Sequence, residues 1–107
     1  MSGGGGGGGG GESSSTPCET LRFDAQLTSP QPAVVQSLKN GEVLAVDVAN
    51  MKGQLVVQVR KKSGQIAGGL TGPDASRLRQ CIEQGHMYKA TVLTINGGQV
   101  RVRIEHT

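Results

Sequence analysis

Gly64-Gln65-Ile66-Ala67-Gly68-Gly69-Leu70-Thr71-Gly72-Pro73-Asp74 decides how the chain folds. Three features of it set the elements around it. Gln65-Ile66-Ala67 is a short apolar stretch fit for a strand. Gly68, Gly69 and Gly72 form a glycine cluster that predicts a structural turn, by positive φ or by close backbone approach. Thr71-x-x-Asp74 has the form of a capping box with Pro73 in the first turn, which predicts a helix starting here. A strand that delivers glycines to a helix start can also cradle an anion with free backbone N–H groups. That chemistry is disfavoured here. No Gly-Lys-Ser/Thr follows as in a P-loop, the Gly-x-Gly spacing of a dinucleotide site is missing, and Asp74 repels an anion at the helix start.

Downstream, Ala75, Leu78 and Ile82 make an apolar stripe at helical spacing, with Cys81 at its edge, and Gly85 marks the stop. Residues 88–95 and 99–105 then alternate apolar and polar around Asn96-Gly97-Gly98, a strong hairpin signal. Val100, Val102 and Ile104 face inward; Arg101, Arg103 and Glu105 face outward. Upstream, Lys61-Lys62-Ser63-Gly64 is a turn. Before it come a strand with Leu55, Val57 and Val59 inward, the turn Asn50-Met51-Lys52-Gly53, and a strand over 42–49 with Leu44, Val46 and Val48 inward. Residues 33–38 carry Val34, Val35 and Leu38 at helical spacing after the Ser29-Pro30-Gln31-Pro32 break. Residues 20–27 alternate as a first strand. The resulting order, β, short helix, βββ, α, ββ, predicts a mainly β fold with one main helix. Its form is a small antiparallel barrel of five to six strands capped by an α-helix.

The chain has 107 residues, enough for one domain. Gly3 to Gly11 is an unbroken glycine run followed by Glu12-Ser13-Ser14-Ser15-Thr16-Pro17, so residues 1–17 read as a disordered Gly/Ser-rich tail and 18–107 as the folded domain. The tail has no basic start and no apolar h-region, and no apolar run is long enough for a bilayer, so a cytoplasmic location is expected. Cys18 and Cys81 form no CxxC and read as free thiols. Cys81 and His86, the only nearby pair, fall short of the four N/S ligands that zinc usually takes, and neither a metal nor a cofactor is expected.

The layout resembles the HIRAN domain, a small β-barrel found in DNA helicases and alone in bacterial proteins. The resemblance lies in Asn40-Gly41-Glu42-Val43-Leu44-Ala45-Val46, Val56-Val57-Gln58-Val59 and Ser63-Gly64-Gln65-Ile66-Ala67-Gly68-Gly69-Leu70. It extends through the helix to Gly85-x-x-Tyr88-Lys89-Ala90-Thr91-Val92. It implies capture of a single-stranded DNA end with a free three-prime hydroxyl, by aromatic side chains and an Asp after an Asn-Pro-like turn. The equivalent turn here, Asn50-Met51-Lys52-Gly53, keeps an Asn and has neither the aromatic nor the Asp.

The net charge of +3 is unevenly placed. Up to Gly41, Arg22 and Lys39 face Glu12, Glu19 and Asp24; from Glu42 onward there are nine basic and five acidic residues. Arg60, Lys61 and Lys62 end one strand, and Arg101 and Arg103 lie outward on the last. If those strands are neighbours, they form a stripe able to follow a phosphate backbone. Phe23 and Tyr88 are the only Phe or Tyr and there is no Trp, so base stacking on several exposed rings is not available. His86, His106 and Cys81 have no base, nucleophile or acid that spacing alone places beside them. The chain therefore reads as a small non-enzymatic binding module with a protein partner. The alternative is DNA binding through Arg60, Lys61, Lys62, Arg101 and Arg103.

Overall fold

The computed structural model describes residues 17–107, so the expected tail lies outside the described residues apart from Pro17. A 3-10 turn, Cys18–Thr20, leads into β1 (Arg22–Gln26), and a short helix, α1 (Pro32–Val35), follows the proline break. The expected meander is β2 (Val43–Met51), β3 (Gln54–Arg60) and β4 (Ile66–Leu70). The main helix, α2 (Pro73–Glu83), then precedes the hairpin of β5 (Tyr88–Asn96) and β6 (Gln99–His106). These strands form one antiparallel sheet in the order β1-β6-β5-β2-β3-β4.

The mainly β class and the strand count agree with the sequence. The sheet itself is not closed. Among the described residues, its two outer strands meet only where the chain leaving β1 crosses toward β4, at an isolated Thr28–Gly69 bridge. There Thr28 N–H donates to Gly69 C=O (2.8 Å) and Gly69 N–H donates to Thr28 C=O (2.9 Å). Gln31 N–H adds a bond to Ala67 C=O at 2.9 Å.

Period-two alternation fixes the core. Leu44, Val59, Val92, Val100, Val102 and Ile104 are fully buried with Leu78 of α2. Each such side chain contributes on the order of 1.5–3 kcal/mol by leaving water. The β2–β3 register pairs Met51 with Gln54, leaving a two-residue turn at Lys52 and Gly53. Both have positive φ, 56° and 83°, as a type I′ hairpin demands. A register shift between Val92 and Thr94 interrupts β5, and beyond it Ile95 is only half-buried.

Several expectations need correction. Cys18 and Cys81 are not free thiols: they form a disulfide between Cα atoms 5.6 Å apart. Spacing could not show this, because the 3-10 turn folds back onto a helix 63 residues later. Cys81 consequently lies in the buried centre of α2 and Ile82 at its half-buried edge, the reverse of the predicted stripe. The Thr71–Asp74 capping box does not form; Gly72 is the N-cap and no side chain bonds to it. β4 runs on to Leu70, so Gly68 and Gly69 lie inside a strand and only Gly72, at φ 94°, turns the chain. Leu55 is exposed, because β3 at that point projects past the core.

Gly68 is required by close approach. A Cβ there would sit 2.9 Å from Thr28 O and 3.1 Å from Leu27 Cβ, so glycine is what lets the crossing segment reach β4.

Candidate functional site

A concavity of about 910 Å³ lies over β3 and β4 beside the Thr28 crossing and α1. Its lining includes Gly68 and Gly69, Met51, Val56 and Ile66, with Pro32 from α1. Every side chain that lines it is uncharged, and Gln31, Gln58, Gln65 and Thr28 supply polar groups. Met51 is 52% and Ile66 40% exposed, so their apolar surface is available to a ligand. Local sequence explains the cavity. Gly68 and Gly69 let the Thr28 segment close on β4, since a Cβ there would meet Thr28 O at 2.9 Å and Val57 O at 3.2 Å, respectively. This crossing, with the Ser29-Pro30-Gln31-Pro32 break and α1, forms one side of the concavity. A smaller pocket of about 330 Å³ continues from it across Val56, Val57, Leu70 and Thr71 to the start of α2, where Leu55, Ser76 and Arg79 line it.

The candidate cations are distributed differently from the expected stripe. β3 and β6 are separated by β2 and β5, so Arg60, Lys61 and Lys62 do not adjoin Arg101 and Arg103. Arg60 is paired with Asp47. Lys61 lies 3.6 Å from Glu42 and donates to Ser37 Oγ at 3.0 Å. Arg103 grips Asp24, its cross-strand partner, through Nε at 2.8 Å and a second guanidinium nitrogen at 3.1 Å. Hydrogen bonds from Arg103 hold the Asp24 carboxyl below its ordinary pKa, aided by the charges of Arg103, Arg101 and Arg22. The same pair pushes the Arg103 pKa up. Arg22 and Glu105, also directly opposite, are 3.1 Å apart. Lys62 and Arg101 are exposed and lie outside these pairs. Neither ring offers a stacking platform: Phe23 is half-buried and Tyr88 is 4% exposed.

A second polar cluster sits at the C-terminal end of α2. Gly85, at φ 102°, ends the helix in a Schellman turn, with Gly85 N–H bonded to Ile82 C=O and His86 N–H to Cys81 C=O. This turn brings His86 Nδ1 to 3.0 Å from His106 Nε2. Tyr88 and His86 both meet the His106 ring edge-on, with centroids 5.2 Å away in each case. The Tyr88 hydroxyl donates to Cys18 C=O at 2.6 Å, and burial pushes its pKa up. Among the described residues no group of three or more His, Cys, Asp or Glu side chains gathers as a metal site. No helix among them is long and apolar enough to cross a membrane.

No family model, no curated protein and no solved structure matches this chain. The groove and the histidine pair both escaped sequence reasoning. Met51 and Ile66 belong to different strands, and the histidines are 20 residues apart. Only the unusual Gly68-Gly69 pair inside an apolar stretch signalled the first.

Proposed function

We propose that the chain is a small non-enzymatic binding module that acts with a larger protein partner, and that the groove over β3 and β4 receives an extended, uncharged segment of that partner. One observation carries this reading: an open groove with no charged lining residue, on a protein of net charge +3. A polyanion would gain nothing from such a surface. An uncharged peptide would bury apolar side chains against Met51, Val56 and Ile66 and hydrogen-bond its backbone to the glutamine and threonine groups. In this reading the sheet behaves as a small barrel seamed at Thr28–Gly69, which keeps the glycine floor in place before the ligand arrives. The Cys18–Cys81 bond favours an oxidising compartment over the cytoplasmic one expected from sequence.

The DNA-binding alternative rests on exposed Lys62 and Arg101. Both readings are tested together. Selection from a random peptide library on the full chain should return uncharged, apolar-rich sequences, and Ile66→Glu or Met51→Glu should weaken them at least tenfold. Selected peptides that are acidic, or that bind the two variants as well as the parent, overturn the groove reading. Single-stranded DNA that binds at low salt and is lost in a Lys62→Glu/Arg101→Glu variant, but not in Ile66→Glu, establishes the alternative instead.

A further inference from the structure

We infer that His86 and His106 form a two-ligand site for a divalent transition-metal ion that favours imidazole, such as Zn(II), Ni(II) or Cu(II). The distance supports it. With metal–nitrogen bonds of about 2.0–2.1 Å, two nitrogens on one ion lie about 2.9 Å apart at a right angle and about 3.3 Å apart in a tetrahedron. His86 Nδ1 and His106 Nε2 are 3.0 Å apart, so both can reach one ion at the apex beside them once each ring turns out of their mutual hydrogen bond.

The hydrogen bonds also prepare the ligand atoms. His106 Nδ1 lies 2.8 Å from the main-chain oxygen of Thr107, an acceptor that holds the ring proton on Nδ1 and leaves the lone pair on Nε2. A backbone carbonyl on the far nitrogen is the usual support of a metal-binding imidazole. His86 Nδ1–H then donates to that lone pair. An incoming ion takes the Nε2 pair, and the His86 proton moves through solvent to its own Nε2, which frees Nδ1 as the second ligand. Each ring keeps one N–H as the ion binds, so the exchange balances.

Both ligand-bearing segments are pinned independently of the imidazoles. His86 N–H is bonded to Cys81 C=O at 3.1 Å, Thr107 N–H to Met87 C=O at 3.0 Å, and the Tyr88 ring braces His106 from one side. Both histidines are half-buried, so solvent reaches the site and water completes the coordination. Imidazole nitrogen selects these ions over Mg(II) and Ca(II), which prefer oxygen.

Isothermal titration of the full chain with Ni(II), Zn(II) and Mg(II) at neutral pH tests the inference, with imidazole resonances followed by NMR. One equivalent of Ni(II) or Zn(II) should bind, shifting resonances of both rings, and Mg(II) should not. His86→Gln and His106→Gln should each weaken Ni(II) at least tenfold while melting as the parent does without metal. The inference is overturned if neither Ni(II) nor Zn(II) binds at millimolar concentration. It is equally overturned if Mg(II) binds as well, or if either variant retains parental affinity.

Discussion

The Tyr88 hydroxyl donates a 2.6 Å hydrogen bond to the carbonyl oxygen of Cys18, which joins the first strand of the terminal hairpin to the turn carrying the disulfide. The bond is buried and spans 70 residues of sequence, so it closes a long loop without help from the sheet.

Tyr88→Phe removes the donor and leaves Cys18 C=O with only the longer bond from Leu21 N–H at 3.4 Å, which should cost about 0.5–1.5 kcal/mol. It should also change the alkaline limb of stability. Burial raises the folded pKa of Tyr88 above its ordinary 10.0, with nearby Arg77 opposing and Glu19 adding to the shift. The neutral phenol is therefore the form the fold prefers. Its contribution is complete below its ordinary value of 10.0 and is lost as pH rises through the higher folded value. Tyr88 is the only tyrosine, so its ultraviolet absorbance follows the phenolate of that residue alone. A phenol that titrates at or below its ordinary value in the folded protein contradicts the assignment.

Reducing the disulfide, or replacing it in Cys18→Ser/Cys81→Ser, releases a cross-link spanning 63 residues. The expected loss is roughly 2–4 kcal/mol, which for a domain of this size lowers Tm by about 10 °C or more. Differential scanning calorimetry with and without a thiol reductant reads it. Thiols that alkylate in the unreduced folded protein would refute the cross-link.

Gly68→Val places its first side-chain carbon 2.9 Å from Thr28 O, closer than that backbone atom tolerates, and 3.1 Å from Leu27 Cβ, which must also give way. Forced separation of β4 from the crossing segment should cost about 1–3 kcal/mol. Chemical denaturation checks this, and hydrogen exchange should show the Gly69 and Thr28 amides losing protection first. An unchanged denaturation midpoint would show that the approach is not constrained.

Lys52 occupies the left-handed region at φ 56° without a side chain suited to it. Lys52→Asn supplies the residue that a type I′ turn prefers ahead of Gly53 and should stabilise by about 0.5–1 kcal/mol. A thermal melt that moves down, or not at all, counts against the turn assignment.

The strands were legible because each carries its own alternation. Val100, Val102 and Ile104 in β6, and Leu44 in β2, declare their buried face without reference to any neighbour. What the alternation could not declare was who neighbours whom. β3 and β6 were candidates for adjacency on the strength of their cations, yet Arg60 bonds to Asp47 within its own hairpin and Arg103 to Asp24 on β1. The disulfide was hidden for a related reason. Cys18 precedes every described strand, and only the tertiary path of the 3-10 turn brings it to Cys81. The glycine stretch was legible as architecture, but its role divides. Gly72 turns the chain, and Gly68 makes room within a strand. The groove lies beside that close approach of the Thr28 segment to β4, which no pattern of polar and apolar residues records.

The backbone bonds from Thr28 and Gln31 to β4 bear on how copies of the protein meet in concentrated solution. An unpaired strand margin is a template on which another molecule can polymerise by adding its own strand. Here the carbonyls of Ala67 and Gly69 and the amide of Gly69 are already occupied from within the same chain. Growth of ordered aggregates along β4 therefore requires the Thr28 segment to detach first. The segment that gives the sheet its shape also guards it against fibril formation.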